Sequence, residues 1–222
     1  SLDAEGWKPL FDGRSLGGWT QKNGTASYRV ENGEIVGKND GPLGNSTYLL
    51  TRREYRDFRL LFEVKQIRER GFSRMHSGLA LLGERYTEDG DPNGFKGPLL
   101  MFCGDWGMWD LHRRNRVFPN RHKGRWFHGA ERFGKWNRIE VLVLGNRIRM
   151  VNNGKLVLDF NDRPTLLKSS PLGLQLHKNQ QKQEFHFRGL ILSRDPLDRL
   201  LTLEEEDDAK SKKKKNSKKQ GE

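Results

Sequence analysis

Short stretches in which apolar and polar residues alternate, separated by tight-turn signals, run through most of the chain. In Arg138–Leu144 every second residue from Ile139 to Val143 is apolar, so these side chains fall on one face. Phe185 and Phe187 share a face in the same way. A period of two residues is typical of half-buried strands, and helical periodicity is nearly absent. The pattern predicts an all-β chain whose sheets pack into a sandwich.

Tight turns separate the predicted strands at regular intervals. Asn32-Gly33 and Asn153-Gly154 each lie between two alternating stretches, and Asn-Gly is the pair that two-residue hairpin turns favour. Gly145-Asn146 is expected to turn a third hairpin. The predicted strands are Ala26–Val30, Glu34–Gly37, Thr47–Thr51, Phe58–Ile67, Gly78–Leu82, Leu99–Cys103, Arg138–Leu144, Arg147–Val151, Lys155–Phe160, Leu172–His177 and Glu184–Ser193.

Two stretches, residues 83–97 and 104–135, break the pattern and are expected to form long loops. Loops of this length on a sandwich usually carry function. We expect residues 1–203 to form one domain and residues 204–222 to form a disordered tail. In that tail an acidic block precedes Lys210–Lys219, and charge blocks of this kind bury little apolar area.

The composition excludes several classes of protein. Only 33% of residues are apolar, but twelve Phe, six Trp and four Tyr are enough for a core. No apolar run approaches the roughly 20 residues of a membrane span. A single cysteine, Cys103, excludes an internal disulfide and a zinc site built from cysteine pairs. The chain begins with polar residues and displays no signal peptide. A secreted protein from which the leader is absent would look the same.

The net charge of +12 belongs mainly to the predicted domain. Residues 1–203 carry 34 basic and 23 acidic side chains, a net charge of +11. This excess predicts attraction to anions such as nucleic acid, anionic polysaccharide or acidic surfaces. The lysine-rich tail is expected to contact anionic surfaces. Nucleic acid is the less favoured partner, because residues 104–149 combine basic and aromatic side chains without a recognised nucleic-acid-binding motif.

The loop that follows Cys103 holds the densest group of chemically versatile side chains. Exposed Trp rings suit stacking on sugars or bases, Asp and His supply acid–base groups near neutral pH, and Arg holds anions. The alternative is that both Trp side chains plug the core beneath a long loop. The candidates in this loop are Trp106, Trp109, Asp110, His112, Arg113 and Arg114.

A second group of candidates lies on or beside predicted strands. Gln175 and His177 are two residues apart, so they share a strand face while leucines take the other. This predicts that the polar face lines a cleft, the alternative being an ordinary solvent-facing side. His76 stands at the entry of a strand, and Glu140 alternates with apolar neighbours as a candidate cleft carboxylate.

Other motifs are partial or absent. Asp89, Asp91 and Asn93 match the opening of a calcium-binding loop, but the twelfth position is Leu100 instead of Glu, and turns use the same residues. Calcium is therefore the less favoured interpretation, and no cofactor is firmly predicted. The Glu-x-Asp-x-Glu strand motif of double-displacement glucanases is absent.

Several motifs, in order, resemble those of the 3-keto-disaccharide hydrolase family. The opening Gly6-Trp-Lys-Pro-Leu-Phe-Asp-Gly-Arg-Ser-Leu-Gly-Gly-Trp19 resembles the start of that family. The other matching segments are Tyr28–Gly37, Leu50–Leu60, Ser77–Ala80, Gly134–Glu140, Asn152–Gly154, Leu172–His177 and Gln183–Arg188. The resemblance spans about residues 6–194. It departs from the family at His76, where relatives usually have Asn, and in residues 97–106, which lack a Glu of the family's central strand.

The resemblance implies a concanavalin A-like jelly-roll sandwich with long loops, usually exported to the periplasm or the medium. It also implies cleavage of glycosidic bonds in sugars already oxidised at C3. In that reaction a base removes the C2 proton, the C1 leaving group departs, and water adds back. His177 or His112 is the expected base, and Trp106 and Trp109 are expected to stack on sugar rings. The alternative is a lectin-like module without catalysis that binds glycans, which the positive charge suggests are anionic.

Overall fold

Two antiparallel sheets packed face to face make up the computed structural model, which describes residues 5–20, 27–74, 77–88, 91–102, 107–110, 115–117 and 130–204. Within this part of the chain the helical content is confined to short 3-10 turns such as Pro164–Leu166. The strands are β1 (Lys8–Pro9), β2 (Trp19–Thr20), β3 (Ser27–Glu31), β4 (Glu34–Asn39), β5 (Thr47–Thr51), β6 (Phe58–Gln66), β7 (Gly78–Ala80), β8 (Glu84–Glu88), β9 (Asp91–Lys96), β10 (Leu99–Met101), β11 (Met108–Asp110), β12 (Asn115–Val117), β13 (Asn137–Leu144), β14 (Arg147–Asn152), β15 (Lys155–Asn161), β16 (Gly173–Leu176) and β17 (Gln183–Ser193).

The strand order identifies the fold. An eight-stranded sheet runs β15-β14-β13-β6-β17-β4-β3, with β1 added to β17, and a seven-stranded sheet runs β12-β11-β10-β7-β16-β5-β2. The hairpin β8–β9 forms a separate two-stranded sheet. Most neighbouring strands are distant in sequence, as in sandwiches wound from long connections. The chain is a concanavalin A-like jelly-roll sandwich, which confirms the predicted fold class.

The predicted turns are confirmed by the backbone. Asn32 and Gly33 have φ values of 52° and 78°, and Asn153 and Gly154 have 48° and 82°. Positive φ at both central residues is the geometry of a type I′ hairpin. Gly145 also has positive φ, at 57°, between β13 and β14.

Each of the eleven predicted strands corresponds to a strand of the structure, with boundary shifts of up to two residues. The two stretches expected to be loops, in contrast, contain strands: β8 and β9 lie in residues 83–97, and β11 and β12 in residues 104–135. The sequence of β9, Asp-Pro-Asn-Gly-Phe-Lys, does not predict a strand, because Pro, Asn, Asp and Gly are depleted in strands. Pairing with β8 overrides that propensity.

Aromatic rings fill the core between the sheets at one end of the sandwich. Phe102 lies 5.5 Å from Phe187, 5.9 Å from Phe62 and 6.2 Å from Phe185 between ring centroids. At least 94% of each of these four residues is buried. Truncating such a ring to Ala usually costs about 3–5 kcal/mol. These four rings therefore pack against one another as a part of the core between the two sheets.

Candidate functional site

Five of the sequence-predicted site residues lie in the described part of the chain: His177, Gln175, Asp110, Trp109 and Glu140. Five others lie outside it, namely His76, Trp106, His112, Arg113 and Arg114. Of the candidate calcium ligands, Asp89 is outside the described residues, and Asp91 and Asn93 lie on β9.

The strand β16 divides its side chains between the two faces of the seven-stranded sheet. Leu174 and Leu176 pack into the core between the sheets. Gln175 consequently lies on the outer face of this sheet, the face turned away from the core. This confirms the expected division of β16 into an apolar and a polar face. Gln175 is nevertheless only 1% exposed, so its polar face is not an ordinary solvent-facing surface.

Neighbouring strands hold Gln175 in place. Tyr48 is directly opposite Gln175 across β5 and β16, and Gln175 Nε2 donates a hydrogen bond of 3.0 Å to the Tyr48 hydroxyl. Ser77, just before β7, donates its hydroxyl hydrogen to the Gln175 main-chain carbonyl. The Ser77 hydroxyl also lies 3.4 Å from Gln175 Oε1, so buried Tyr48 and Ser77 contact the two ends of the Gln175 side-chain amide and orient it. We call Tyr48, Ser77 and Gln175, together with His177 two residues further along the chain, the Gln175 cluster.

His177 follows β16 directly and is partly buried. Its Nδ1 contacts the carbonyl oxygen of Lys178. Since a carbonyl only accepts hydrogen bonds, Nδ1 carries the proton, and Nε2 of the neutral ring keeps its lone pair. Burial lowers the pKa of His177 below its ordinary value of 6.5, outweighing the opposing effect of the Lys178 carbonyl. The ring is therefore neutral at neutral pH, with Nε2 as its basic nitrogen.

The strand β11 separates two residues that the sequence analysis grouped together. Trp109 is opposite Leu99 and packs against the apolar cluster on the outer face of the seven-stranded sheet. Asp110 shares the opposite face with Met108, which belongs to the core, and Asp110 is completely buried. Trp109 therefore lies on the same face as Gln175, whereas Asp110 points into the sandwich.

Glu140 lies far from this face, so the expectation of a cleft carboxylate is corrected. It is on the outer face of the eight-stranded sheet and is completely buried beside Arg59, which is also completely buried. Its carboxylate accepts hydrogen bonds from the main-chain amides of Leu201 and Thr202. The chain after β17 thus covers Glu140. Its role is to hold that segment against the sheet.

Sequence reasoning missed Tyr48 as a site residue. The sequence of Thr47–Thr51 does not indicate that the Tyr48 hydroxyl forms a hydrogen bond at a site, because a tyrosine in a strand usually contributes its ring to packing. Only the register between β5 and β16 brings its hydroxyl to Gln175.

No group of three or more His, Cys, Asp or Glu side chains close enough to hold a metal ion occurs in the described ranges. Within those same ranges, no helix is long and apolar enough to cross a membrane.

Comparisons with known proteins agree with the fold. Residues 6–192 match the model of a family described as the 3-keto-alpha-glucoside-1,2-lyase-like domain. No curated protein sequence matches the chain.

Solved structures of similar shape include a candidate glycosyl hydrolase from Parabacteroides distasonis, with 18% identity, a TM-score of 0.58, and coverage of 86% of this chain and 95% of that one. A carbohydrate-binding module, CBM66 from Bacillus subtilis, gives 16% identity, a TM-score of 0.53, and coverage of 79% and 95%. The lumenal domain of VIP36 gives 10% identity, a TM-score of 0.51, and coverage of 92% and 95%. At these identities the likeness concerns the fold alone.

Proposed function

The chain belongs to the 3-keto-alpha-glucoside-1,2-lyase-like family, and from this membership we propose that it cleaves the glycosidic bond of 3-keto-glycosides or 3-keto-disaccharides. A ketone at C3 acidifies the neighbouring C2 hydrogen. A base takes that proton, the electron pair forms a C1–C2 double bond, and the C1–oxygen bond breaks with its electrons going to the leaving group. The leaving alkoxide takes up a proton. Water then adds across the double bond, placing hydroxyl at C1 and hydrogen at C2.

We assign the base to His177. The supporting observation is the hydrogen bond between its Nδ1 and the Lys178 carbonyl, which leaves Nε2 as the proton acceptor. A lowered pKa keeps the imidazole neutral at the pH where most enzymes work. The reaction needs one base and positioned donors instead of a pair of nucleophilic carboxylates, in agreement with the missing glucanase motif.

The other candidate residues complete the proposal. Gln175, held by Tyr48, supplies polar groups next to the base. Trp109 and Trp106 stack on sugar rings. Arg113 and Arg114 hold the enolate, and His112 or His76 protonates the leaving group.

The test is incubation of the purified chain with 3-keto-trehalose or 3-keto-lactose while monosaccharide release is followed. Release by the wild type and its loss in His177→Gln support the proposal. The matched control is His186→Gln, because His186 lies on the other sheet between Glu34 and Glu184, with nitrogen–oxygen distances of 2.7 and 2.6 Å. Melting temperatures of both variants show whether they fold. Full release by a folded His177→Gln protein would remove His177 from the mechanism.

A second candidate function is glycan binding without catalysis. The observation that favours it is the formal net charge of +12, which suits sulfated or uronate-bearing glycans. It predicts saturable binding to such glycans that weakens as salt is added, with no turnover of any 3-keto-sugar. Cleavage of a 3-keto-disaccharide by the wild type would reject it.

We also propose that residues 1–203 form the folded domain, residues 204–222 a charged tail, and that the protein is periplasmic or secreted. The family resemblance supports the location. Limited proteolysis tests the boundary, since a protease should remove the tail and leave a stable fragment. Cell fractionation of the native source tests the location, and recovery in the cytoplasm would contradict it.

A further inference from the structure

The outer face of the seven-stranded sheet is partly covered by the chain's own hairpin. We call strands β8 and β9 the Phe95 hairpin, because Phe95 makes the central contact. The ring of Phe95 lies 5.9 Å from that of Tyr48, and Phe95 is 4% exposed. It belongs to an apolar cluster with Tyr48, Leu50, Ala80, Leu99 and Met101, against which Trp109 also packs.

Strand register places this cluster beside Gln175. Leu50, Ala80, Leu99 and Trp109 form one row across the sheet, because Leu50 is opposite Gly173, Gly173 opposite Ala80, and Ala80 opposite Leu99. Tyr48 and Gln175 belong to the next row. Phe95 contacts Tyr48 of the Gln175 cluster and belongs to the apolar cluster beside it, where an extended glycan would otherwise continue over the sheet.

Contacts at its base and along its side hold the Phe95 hairpin on the outer face of the seven-stranded sheet. Leu82 has a φ of 55°, a left-handed conformation that a leucine rarely adopts, and it turns the chain over the sheet. Gly83 and Gly97 pack against each other so closely that a Cβ on Gly83 would lie 2.2 Å from the Lys96 carbonyl oxygen. The Arg85 guanidinium donates to the Thr20 hydroxyl on β2.

From these contacts we infer that Phe95 is a specificity-determining residue that limits the site to short saccharides. The inference rests on the proposed function. A sugar with its reacting ring at His177 that extends over the sheet past Gln175 meets the Phe95 ring. Excluding a ligand by a fixed obstruction is a common way to achieve specificity.

The test compares 3-keto-disaccharides with 3-keto-hexasaccharides of the same linkage, prepared in two sets with the keto ring at either end. For one of the two sets, kcat/KM of the wild type is expected to be at least about tenfold lower for the hexasaccharide. Phe95→Ala is expected to raise kcat/KM for that hexasaccharide and to leave the disaccharide value within about threefold. The control is Phe133→Ala, since Phe133 is 61% exposed and lies outside this face.

A second variant covers the case in which Phe95→Ala does not fold. Arg85→Ala removes an exposed side chain that attaches the hairpin to Thr20, and it should also relax the discrimination against the hexasaccharide. Equal kcat/KM values of the wild type for both lengths in both sets would overturn the inference and leave the proposed function standing. The inference also falls if no folded hairpin variant changes the ratio. If the wild type neither cleaves nor binds the disaccharide, the proposed function and the inference both fall.

Discussion

Arg59 and Glu140 form an ion pair whose two side chains are completely buried on the outer face of the eight-stranded sheet. Glu5 receives two further hydrogen bonds from the same guanidinium, of 2.8 and 3.0 Å. The Leu197 amide donates to Glu5, and the Leu201 and Thr202 amides donate to Glu140. One arginine thus holds both ends of the described chain against the sheet. This ionic cluster lies on the opposite sheet from the Gln175 cluster.

Replacing Glu140 with Gln is expected to lower the free energy of unfolding without changing cleavage of the sugar. The change removes the negative charge from a carboxylate that accepts hydrogen bonds from Leu201 and Thr202, while Glu5 still pairs with Arg59, and it is expected to cost about 1.5–3 kcal/mol of unfolding free energy. Urea denaturation measures the loss. The matched control is Glu63→Gln on the same sheet: Glu63 pairs with Arg188, both side chains are about 40% exposed, and the loss should stay within about 1 kcal/mol. Equal losses in both variants would contradict the role given to Glu140.

Acid should weaken the fold through Glu5. Burial alone would raise the pKa of this carboxyl, but hydrogen bonds from Arg59 and the Leu197 amide hold it below the ordinary value of 4.5. The unfolded chain therefore binds the proton more tightly than the folded one. The stabilisation is fully present above pH 4.5 and is lost as pH falls through the lower pKa of the folded state. Thermal melts between pH 7 and pH 3 should show a smaller decline for Glu5→Gln than for the wild type. Parallel declines would contradict this account.

The midpoint of the acid limb in the pH profile of kcat/KM should lie below pH 6.5. Burial lowers the pKa of His177 from that value, so the neutral base persists at pH values where an exposed histidine is already protonated. The pH dependence of kcat/KM on a 3-keto-disaccharide measures the limb. An acid limb centred above pH 6.5 would contradict the assignment of His177 as the base.

Tyr48 should act as a positioning residue for Gln175. Tyr48→Phe keeps the ring that packs on Phe95 and removes the hydroxyl that lies 3.0 Å from Gln175 Nε2. Freed from this partner, the amide loses its fixed orientation, and kcat is expected to fall about tenfold with little change in KM. The control is Tyr55→Phe, because Tyr55 pairs with the edge of Phe58 and is remote from the site. A fall in melting temperature with unchanged kcat would assign Tyr48 a structural role only.

The architecture could be predicted from the sequence where the pattern is local. The limits of Thr47–Thr51 agree with β5, and Asn32-Gly33 forms the expected hairpin, because alternation and turn chemistry depend on neighbouring residues. Alternation also gave the two faces of β16. Alternation does not show which segment of the chain covers the outer face of a sheet. Glu140 was therefore expected in a cleft, whereas the segment after β17 folds over it.

The family motifs explain why the resemblance predicts the fold better than the chemistry. Asn137 binds the Arg132 amide and the Lys135 carbonyl within its loop, and Asp57 accepts a hydrogen bond from the Gly145 amide. Tyr28 donates to the Leu174 carbonyl across the two sheets. These motif residues hold strands and loops together. The contact between Tyr48 and Gln175 joins residues 127 positions apart, and no local sequence pattern predicts it.

The most direct test of the central claim is cleavage of a 3-keto-disaccharide in heavy water, followed by mass spectrometry and NMR of the released keto sugar. If a base removes the C2 proton and water adds back, the wild type is expected to give a product with deuterium at C2, beyond the exchange seen without protein. His177→Gln should not accelerate this incorporation. A product released by the wild type that retains hydrogen at C2 would contradict the elimination mechanism, because direct displacement at C1 leaves that hydrogen untouched.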